Sequence, residues 1–447
     1  MLTADAIPTT EPVIDVGIIL PGDGLSSVEL TLPKSPVYRA VCDGRVSELK
    51  GGQRITISYD HGKLHLESGL PELSATGEIR LEARDSNTAI APKSGIRVAP
   101  VMAGRGFHWQ KTIEVYLPDT LIFRIHEEQM ILINELPLEH YVMCVATSEM
   151  SAACPPALIE AQTIAARSWL LANVEQKHKS MGMDVCNDDC CQRYQGTSFL
   201  SPQSIQGALS TYGRVLMYGE AICDARYSKS CGGMMESFDA VWPGYKLPYM
   251  IVKPDMPDRE AEKYKDVDLS KEAAARDWIG STPGSWCSPR HIPESELKKY
   301  LGNVDQDAAY FRWKIEFSQA EITAALRKHA RLNVRAVLSL LPEKRGGSGR
   351  ATELSVVYYP DESHRTAVYK ATSEYEIRRI LSDRFLYSSA IVVKLKELSG
   401  EIPGVFEILG AGWGHGAGLC QIGALGMALH NKPTEEILAH YYPNSYL

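Results

Sequence analysis

The sequence predicts an α+β fold: an N-terminal β-rich domain, then a mixed α/β domain that an insertion interrupts. Three observations predict it. Short alternating or continuous apolar runs recur between residues 12 and 100, separated by Gly- and Asp-containing turns. Two helical patterns follow between Leu138 and Val174, with apolar residues three and four apart. Prolines then punctuate a charged stretch at 251–310, and strand-like runs resume at Phe311. A chain of 447 residues has room for two or three domains. The pattern divides it into 1–105, 106–250, 251–310 and 311–447.

In chain order, Val13–Leu20 and Val28–Leu32 read as strands around the turn Pro21-Gly22-Asp23-Gly24. Arg54–Tyr59, Lys63–Glu67 and Glu78–Glu82 continue the pattern, which suits a small antiparallel domain with no chemistry of its own. Thr112–Tyr116, Leu121–Ile125 and Met130–Ile133 are further strands. Leu138, Tyr141, Val142, Val145 and Ala146 then mark a short helix ending near Glu149. Pro155 and Pro156 suit the first turn of a second helix, where a missing N–H costs nothing. That helix carries Leu158, Ala161, Ala165, Trp169 and Ala172 on one face, and Arg167 is expected to brace the helix pair through an ion pair. Ala208–Met217 and Glu220–Tyr227 read as a helix end and a hairpin. Ser270–Trp278 and Glu294–Tyr300 have helical potential inside the 251–310 stretch. Glu353–Tyr358 and Ala390–Leu395 read as strands flanking a helix near Ser373–Leu381.

Composition excludes some classes. Lys and Arg number 47 against 55 Asp and Glu, a net charge of −8, so no overall electrostatics favour nucleic acid. No apolar run approaches the roughly 18 residues of a membrane span. The ten cysteines are unevenly spaced and do not form a disulfide-scaffold pattern.

Four groups of residues carry chemistry. Glu149 sits where a helix C-terminus, with its partial negative charge, and apolar neighbours such as Val145 and Met150 oppose ionisation. A carboxylic acid kept protonated in this way suits general-acid cleavage of a glycosidic bond; the plain alternative is a solvated residue at a helix end. His178, Cys186, Cys190 and Cys191 supply three thiolates and an imidazole, a structural zinc complement. Disulfides are the alternative there, although adjacent cysteines rarely bond to each other. Ser228-Lys229-Ser230-Cys231-Gly232-Gly233 offers backbone donors and hydroxyls to a sugar, or is simply a turn. In Gly412-Trp413-Gly414-His415-Gly416-Ala417-Gly418 the glycines permit close backbone approach, Trp413 offers a stacking face and His415 can orient the acid. Cys420, at the expected start of a helix near His415, suggests a rival reading as a low-pKa nucleophile in a cysteine amidase or endopeptidase.

These motifs resemble a known family. Leu136–Trp169 (LPLEHYV…SEM…PPALIEAQTIAARSW) is similar to the core of the SpoIID/LytB family of bacterial peptidoglycan proteins. The resemblance resumes at Tyr227–Ser237, Gly412–Met427 and Glu436–Tyr442, and covers most of 107–245 and 311–447. One branch is a sporulation lytic transglycosylase and the other an amidase enhancer. The resemblance implies that Glu149 is the catalytic glutamate, cleaving the MurNAc–GlcNAc bond of peptidoglycan, and that His415 assists. Substrate contacts are expected from Tyr227, Ser228, Ser230, Gly232, Gly233, Trp413 and Gly414, whose backbone donors, hydroxyls and aromatic face suit one groove with Glu149 at its floor. Some members bind zinc with a His-x7-Cys-x3-His-Cys pattern, and here Cys190 stands where that pattern has its second His. Peptidoglycan strands are the implied partner, with a cell-wall amidase as a second one and the non-catalytic enhancer as the alternative function. The stretch 251–310 reads as an insertion because the family-like pattern resumes at Phe311–Glu316.

Location follows two opposed lines. The first basic residue is Lys34 and prolines interrupt the early apolar runs, so the chain read literally is cytoplasmic. A peptidoglycan substrate instead implies an extracytoplasmic protein whose leader was removed before residue 1.

Overall fold

A computed structural model describes residues 2–3, 6–68, 73–84, 89–107, 110–302, 309–361 and 365–447. It is an α+β fold, β-rich at its N-terminal end. The chain forms two compact units. The first comprises Met1–Asp224 with Leu301–Asn303 and Leu447, the second Ala225–Tyr300 and Val304–Tyr446. Residues 303–308, part of the expected insertion, lie outside the described residues.

In the first unit a seven-stranded sheet mixes strands from opposite ends of the segment. Val13–Ile19 pairs antiparallel with Gln129–Pro137 (Ile14 opposite Leu136) and parallel with Val185–Cys186 (Gly17 opposite Cys186). Thr120–His126, Glu78–Ala83, Tyr38–Cys42 and Arg45–Glu48 extend it. A six-stranded sheet, containing Arg54–Asp60 and Lys63–Glu67, completes the β portion. There the alternation places Ile55, Ile57, Leu64 and Leu66 inside. The first hundred residues therefore share a sheet with the strands that follow them, and the observed division falls at 224, not at 105. The difference has a plain cause: alternation shows that a segment is a strand but not which distant strand it pairs with.

Two helices rest on this framework. Helix α1 (Leu138–Glu149) starts after Pro137, and helix α2 (Pro156–Ala172) has Pro155 as its N-cap and Pro156 in its first turn. Asn173, left-handed at φ 46°, ends α2. The expected brace between them is present. Arg167 on α2 donates from Nε and Nη2 to the two oxygens of Glu139 on α1, at 2.9 and 2.7 Å, with Arg167 fully buried.

The second unit contains two three-stranded sheets. One joins Arg312–Ser318, Ile402–Ala411 and Ile391–Ser399; the other joins Val334–Arg345, Ala351–Pro360 and Ala367–Ala371. Their core includes Ile322, Leu326, Val356, Ile377, Phe406 and Ile408. The stretch 251–300 belongs to this unit and contributes to its core, although many of its residues are exposed. Asp255, Leu269, Trp278, Trp286, Cys287 and Ile292 are all buried, and Met234, Met256, Leu269 and Trp278 pack together. Read from the sequence as an insertion with helical potential, it carries helices at Glu272–Ile279 and Glu294–Leu297, and its scattered large apolar residues supply core that no periodicity reveals.

Candidate active site and metal centre

Glu149 closes α1 and is half-buried. One of its carboxylate oxygens, Oε1, accepts the backbone N–H of Arg193 at 3.0 Å. The Arg193 guanidinium turns to Asp189 and donates from Nη2 to both carboxylate oxygens, at 3.1 and 3.3 Å. Burial pushes the Asp189 carboxyl up to about 6; Arg193 opposes this, while the charge of Glu149 adds to it. Glu149 thus shares its surroundings with a second carboxylate and a cation that the sequence reading missed. The Asp–x3–Arg spacing was the only signal, and it stood outside any helical pattern.

The segment carrying these residues is held firmly. The Tyr141 hydroxyl on α1 donates to Gln192 at 2.9 Å, and Gln192 donates to the carbonyl of Ala166 on α2 at 3.2 Å. The Tyr194 ring stacks on Tyr141 with centroids 5.3 Å apart. Further along, Asp188 accepts the N–H groups of Gly104 and Arg105 at 2.9 and 2.7 Å. The Arg105 side chain grips Asp23 with two bonds, at 2.6 and 2.7 Å, and reaches Asn187 at 2.7 Å. Early strands, helix pair and the 186–194 segment are thereby tied into one framework around Glu149.

The four expected ligands come together in that segment. One donor atom each from His178, Cys186, Cys190 and Cys191 lies within 4.8 Å of all the others. Cys186 and Cys190 sulfurs are 3.0 Å apart, and Cys190 sulfur is 3.9 Å from His178 Nε2. All four thus face one point, at separations too long for a disulfide and short enough for one ion. A zinc ion would fit this donor set with no position left for a reacting water, so its contribution would be to the fold. We expect Cys186→Ser to lose one zinc equivalent on elemental analysis. Chelation should lower the melting temperature, since binding energy at a closed thiolate site is folding energy. A Cys186→Ser protein with undiminished metal would contradict this.

The two glycine-rich stretches meet within the second unit. Tyr227–Ser228 pairs with Leu419–Cys420, and Ser230 and Trp413 exchange backbone hydrogen bonds at 3.0 and 2.7 Å. The contact is through backbone, around a fully buried Arg350 that donates to the carbonyls of Cys231 at 3.1 Å and Gly414 at 3.2 Å. A Cβ at Gly416, whose φ is +75°, would stand 2.4 Å from the Arg350 guanidinium carbon. The glycine there answers to internal packing. Ser230 is fully buried, and Cys231, Gly232 and Gly233 are buried with it, so direct sugar contact by Ser230, Gly232 or Gly233 does not suit this arrangement. Trp413 already stacks on Tyr387, with centroids 4.0 Å apart and planes 15° from parallel. Tyr227, Trp413, Gly414 and His415 remain half-buried, while Ser228 is buried and accepts the Gly416 N–H at 3.2 Å. Glu149 belongs to the first unit and all these residues to the second.

His415 is a neutral imidazole. Burial, then the charges of Arg226, Arg350 and Arg378, push it down to about 3, against a hydrogen bond with the Tyr227 backbone. Its Nδ1 accepts the Ala417 N–H at 3.1 Å, which assigns the proton to Nε2, and its ring meets Trp242 edge-on at 4.8 Å. It cannot serve as an imidazolium acid near neutral pH. The linkage has a definite sign. Between about pH 6.5, the unfolded value, and about 3, the unfolded chain binds this proton and the native one does not. Stability must therefore fall on acidification through that window, by at most about 1.4 kcal/mol per pH unit. Urea unfolding of His415→Gln from pH 7 to 4 should show a shallower decline than the wild type. Parallel curves would contradict the assignment.

The family described as stage II sporulation protein matches residues 126–218, which contain Glu149, Asp189, Arg193 and all four ligands of the His/Cys cluster. Over these residues the chain is similar to the SpoIID/LytB family. A family described only as a domain of unknown function matches 236–418. The amidase enhancer of Bacillus subtilis is 28% identical over 311 residues, covering 68% of this chain but only 39% of that protein. Stage II sporulation protein D of the same organism is 25% identical over 252 residues, covering 50% of this chain and 71% of that one. An uncharacterized protein of Brachyspira hyodysenteriae is 25% identical over 330 residues, covering 74% and 71%. Among the described residues, no helix is long and apolar enough to cross a membrane.

The expectation for Cys420 needs correction. Cys420 does stand at a helix start, as N-cap of Gln421–Leu429, and its sulfur accepts the Gly423 N–H at 3.3 Å. It is, however, fully buried, and burial pushes its thiol well above the usual range. The helix-terminus argument fails because loss of water outweighs the dipole, and a nucleophile with no exposed surface cannot meet a peptide stem. The cysteine amidase reading is set aside.

Proposed function

We propose that this chain cleaves the glycan strands of peptidoglycan at the MurNAc–GlcNAc bond, with Glu149 as acid and then base. The observation that carries the reading is the position of Glu149: a half-buried carboxyl at the end of a buried helix, fixed by a backbone donor and within the field of Asp189. It stands in the segment that matches the sporulation family. Glu149 gives its proton to the bridging oxygen as the muramyl C1–O bond breaks. The resulting carboxylate takes the proton of the muramyl C6 hydroxyl as that oxygen closes on C1. The products are a 1,6-anhydro end and a free GlcNAc end, and Glu149 is again protonated. One carboxyl suffices because the substrate provides the nucleophile, unlike the two-carboxylate glycosidases. His178, Cys186, Cys190 and Cys191 would hold zinc in this reading, fixing the segment that carries Asp189 and Arg193 without entering the chemistry. Arg193 holds Glu149 by its backbone, and Asp189 in turn by its guanidinium. The reading places the protein on the outer side of the cytoplasmic membrane.

A second reading rests on the amidase enhancer relative: a glycan-binding protein that raises the activity of a cell-wall amidase. The two separate in one experiment. Purified chain added to peptidoglycan sacculi should by itself release soluble glycan fragments. Release only when an amidase is added would favour the second reading and reject the first.

A further inference from the structure

The second unit contains another converging set of ligands, outside the 126–218 segment that matches the sporulation family. Cys231, Asp255, Cys287 and Cys420 each present a donor atom within 4.8 Å of all the others, and all four are buried. They come from distant parts of the chain: the Gly-Gly stretch, two separate points in the 251–300 segment, and the start of the helix Gln421–Leu429. We propose that these residues hold a second metal ion, in a closed Cys3Asp zinc site.

Three features of the geometry support an ion over a chance gathering of thiols. Cys231 and Cys287 sulfurs are 3.7 Å apart. That is far beyond the bond length of a disulfide, and close to the ~3.8 Å edge between two thiolates each ~2.3 Å from one tetrahedral zinc. Backbone N–H groups point at the sulfurs: Cys231 and Gly423 donate to Cys420 at 3.2 and 3.3 Å, and Gly233 donates to Cys231 at 3.3 Å. Such donors stabilise thiolates, and the helix N-terminus at Cys420 adds to them. The carboxylate is oriented from outside, as metal-binding groups are. Asp255 Oδ1 accepts from Tyr441 at 2.8 Å and from His440 Nε2 at 3.2 Å, while Lys253 reaches His440 Nδ1 at 3.3 Å. Its other oxygen, Oδ2, faces Cys231 sulfur at 3.1 Å.

The surroundings fit the charge of such a site. Three thiolates and a carboxylate around a divalent ion leave two negative charges, which burial opposes. Buried Arg350 and half-buried Arg312 are bonded to the backbone of the same loop, at Cys231 and Gly232, and act electrostatically on Cys231 and, for Arg312, on Cys287. A Cβ at Gly423 would stand 2.4 Å from Asp255 Oδ2, so that glycine clears the space the carboxylate occupies. Thiolate donors select a soft divalent ion such as zinc, and four donors within 4.8 Å enclose one ion and not a multi-iron cluster. With no exposed face the site stabilises the fold: it ties the 227–237 loop, two separate points of the 251–300 segment and the start of the helix at 421 to one point.

The test is metal stoichiometry on the full chain. Native mass spectrometry of wild type should show two bound zinc ions, and elemental analysis two equivalents. Cys287→Ser should retain one and Cys186→Ser should retain one. Because Cys287→Ser could misfold, the wild-type mass stands as an independent arm. A wild type carrying a single ion, all of it lost in Cys186→Ser, would overturn the proposal. So would a Cys231–Cys287 disulfide in a non-reducing peptide map, or two equivalents left intact in a folded Cys287→Ser.

Discussion

Glu149→Gln should lower glycan cleavage by roughly 10²–10⁴-fold, the usual worth of a positioned general acid, while zinc content and thermal unfolding stay at wild-type values. Glutamine keeps the shape and can still accept the Arg193 N–H through its carbonyl oxygen, so the 3.0 Å contact need not be lost. It cannot donate a proton to a leaving oxygen. A folded Glu149→Gln with full activity would remove Glu149 from the chemistry. Cys420→Ala gives the complementary result: any effect should follow metal content and stability, since the thiol is sealed from substrate.

The second large effect concerns the brace between the helices. Arg167→Met should destabilise the first unit by about 3–5 kcal/mol, because Glu139 would be left buried without its cation. The two bonds at 2.9 and 2.7 Å, and a further bond from Arg167 to the Arg214 carbonyl at 3.0 Å, are all lost in that variant. The double variant Glu139→Gln with Arg167→Met should recover much of the loss, since no charge then remains buried. Urea unfolding of the three proteins measures this. Equal midpoints for wild type and Arg167→Met would show that the pair contributes nothing.

How much of this was legible in the sequence depends on distance along the chain. Helices α1 and α2 were readable because apolar spacing and prolines act locally, and their ends fall close to where they are expected. The His178–Cys191 cluster was readable because its ligands lie within one short segment. Cys231, Asp255, Cys287 and Cys420 were not, since nothing local relates residues spread over 190 positions of chain. The same reason hid the pairing of Val13–Ile19 with Gln129–Pro137. Asp189 and Arg193 escaped notice because their relation to Glu149 exists only once the segment folds back on α1. For Ser230 and Gly416 the residue types were read as ligand-facing, when buried Arg350 accounts for their packing.

The central claim is the bond cleaved, and product mass spectrometry on defined glycan strands tests it most directly. Wild type should yield fragments ending in 1,6-anhydro-MurNAc, lighter by one water than hydrolysed ends, and Glu149→Gln should yield almost none. Intact strands with wild type, or released stem peptides with unbroken glycan, would contradict it.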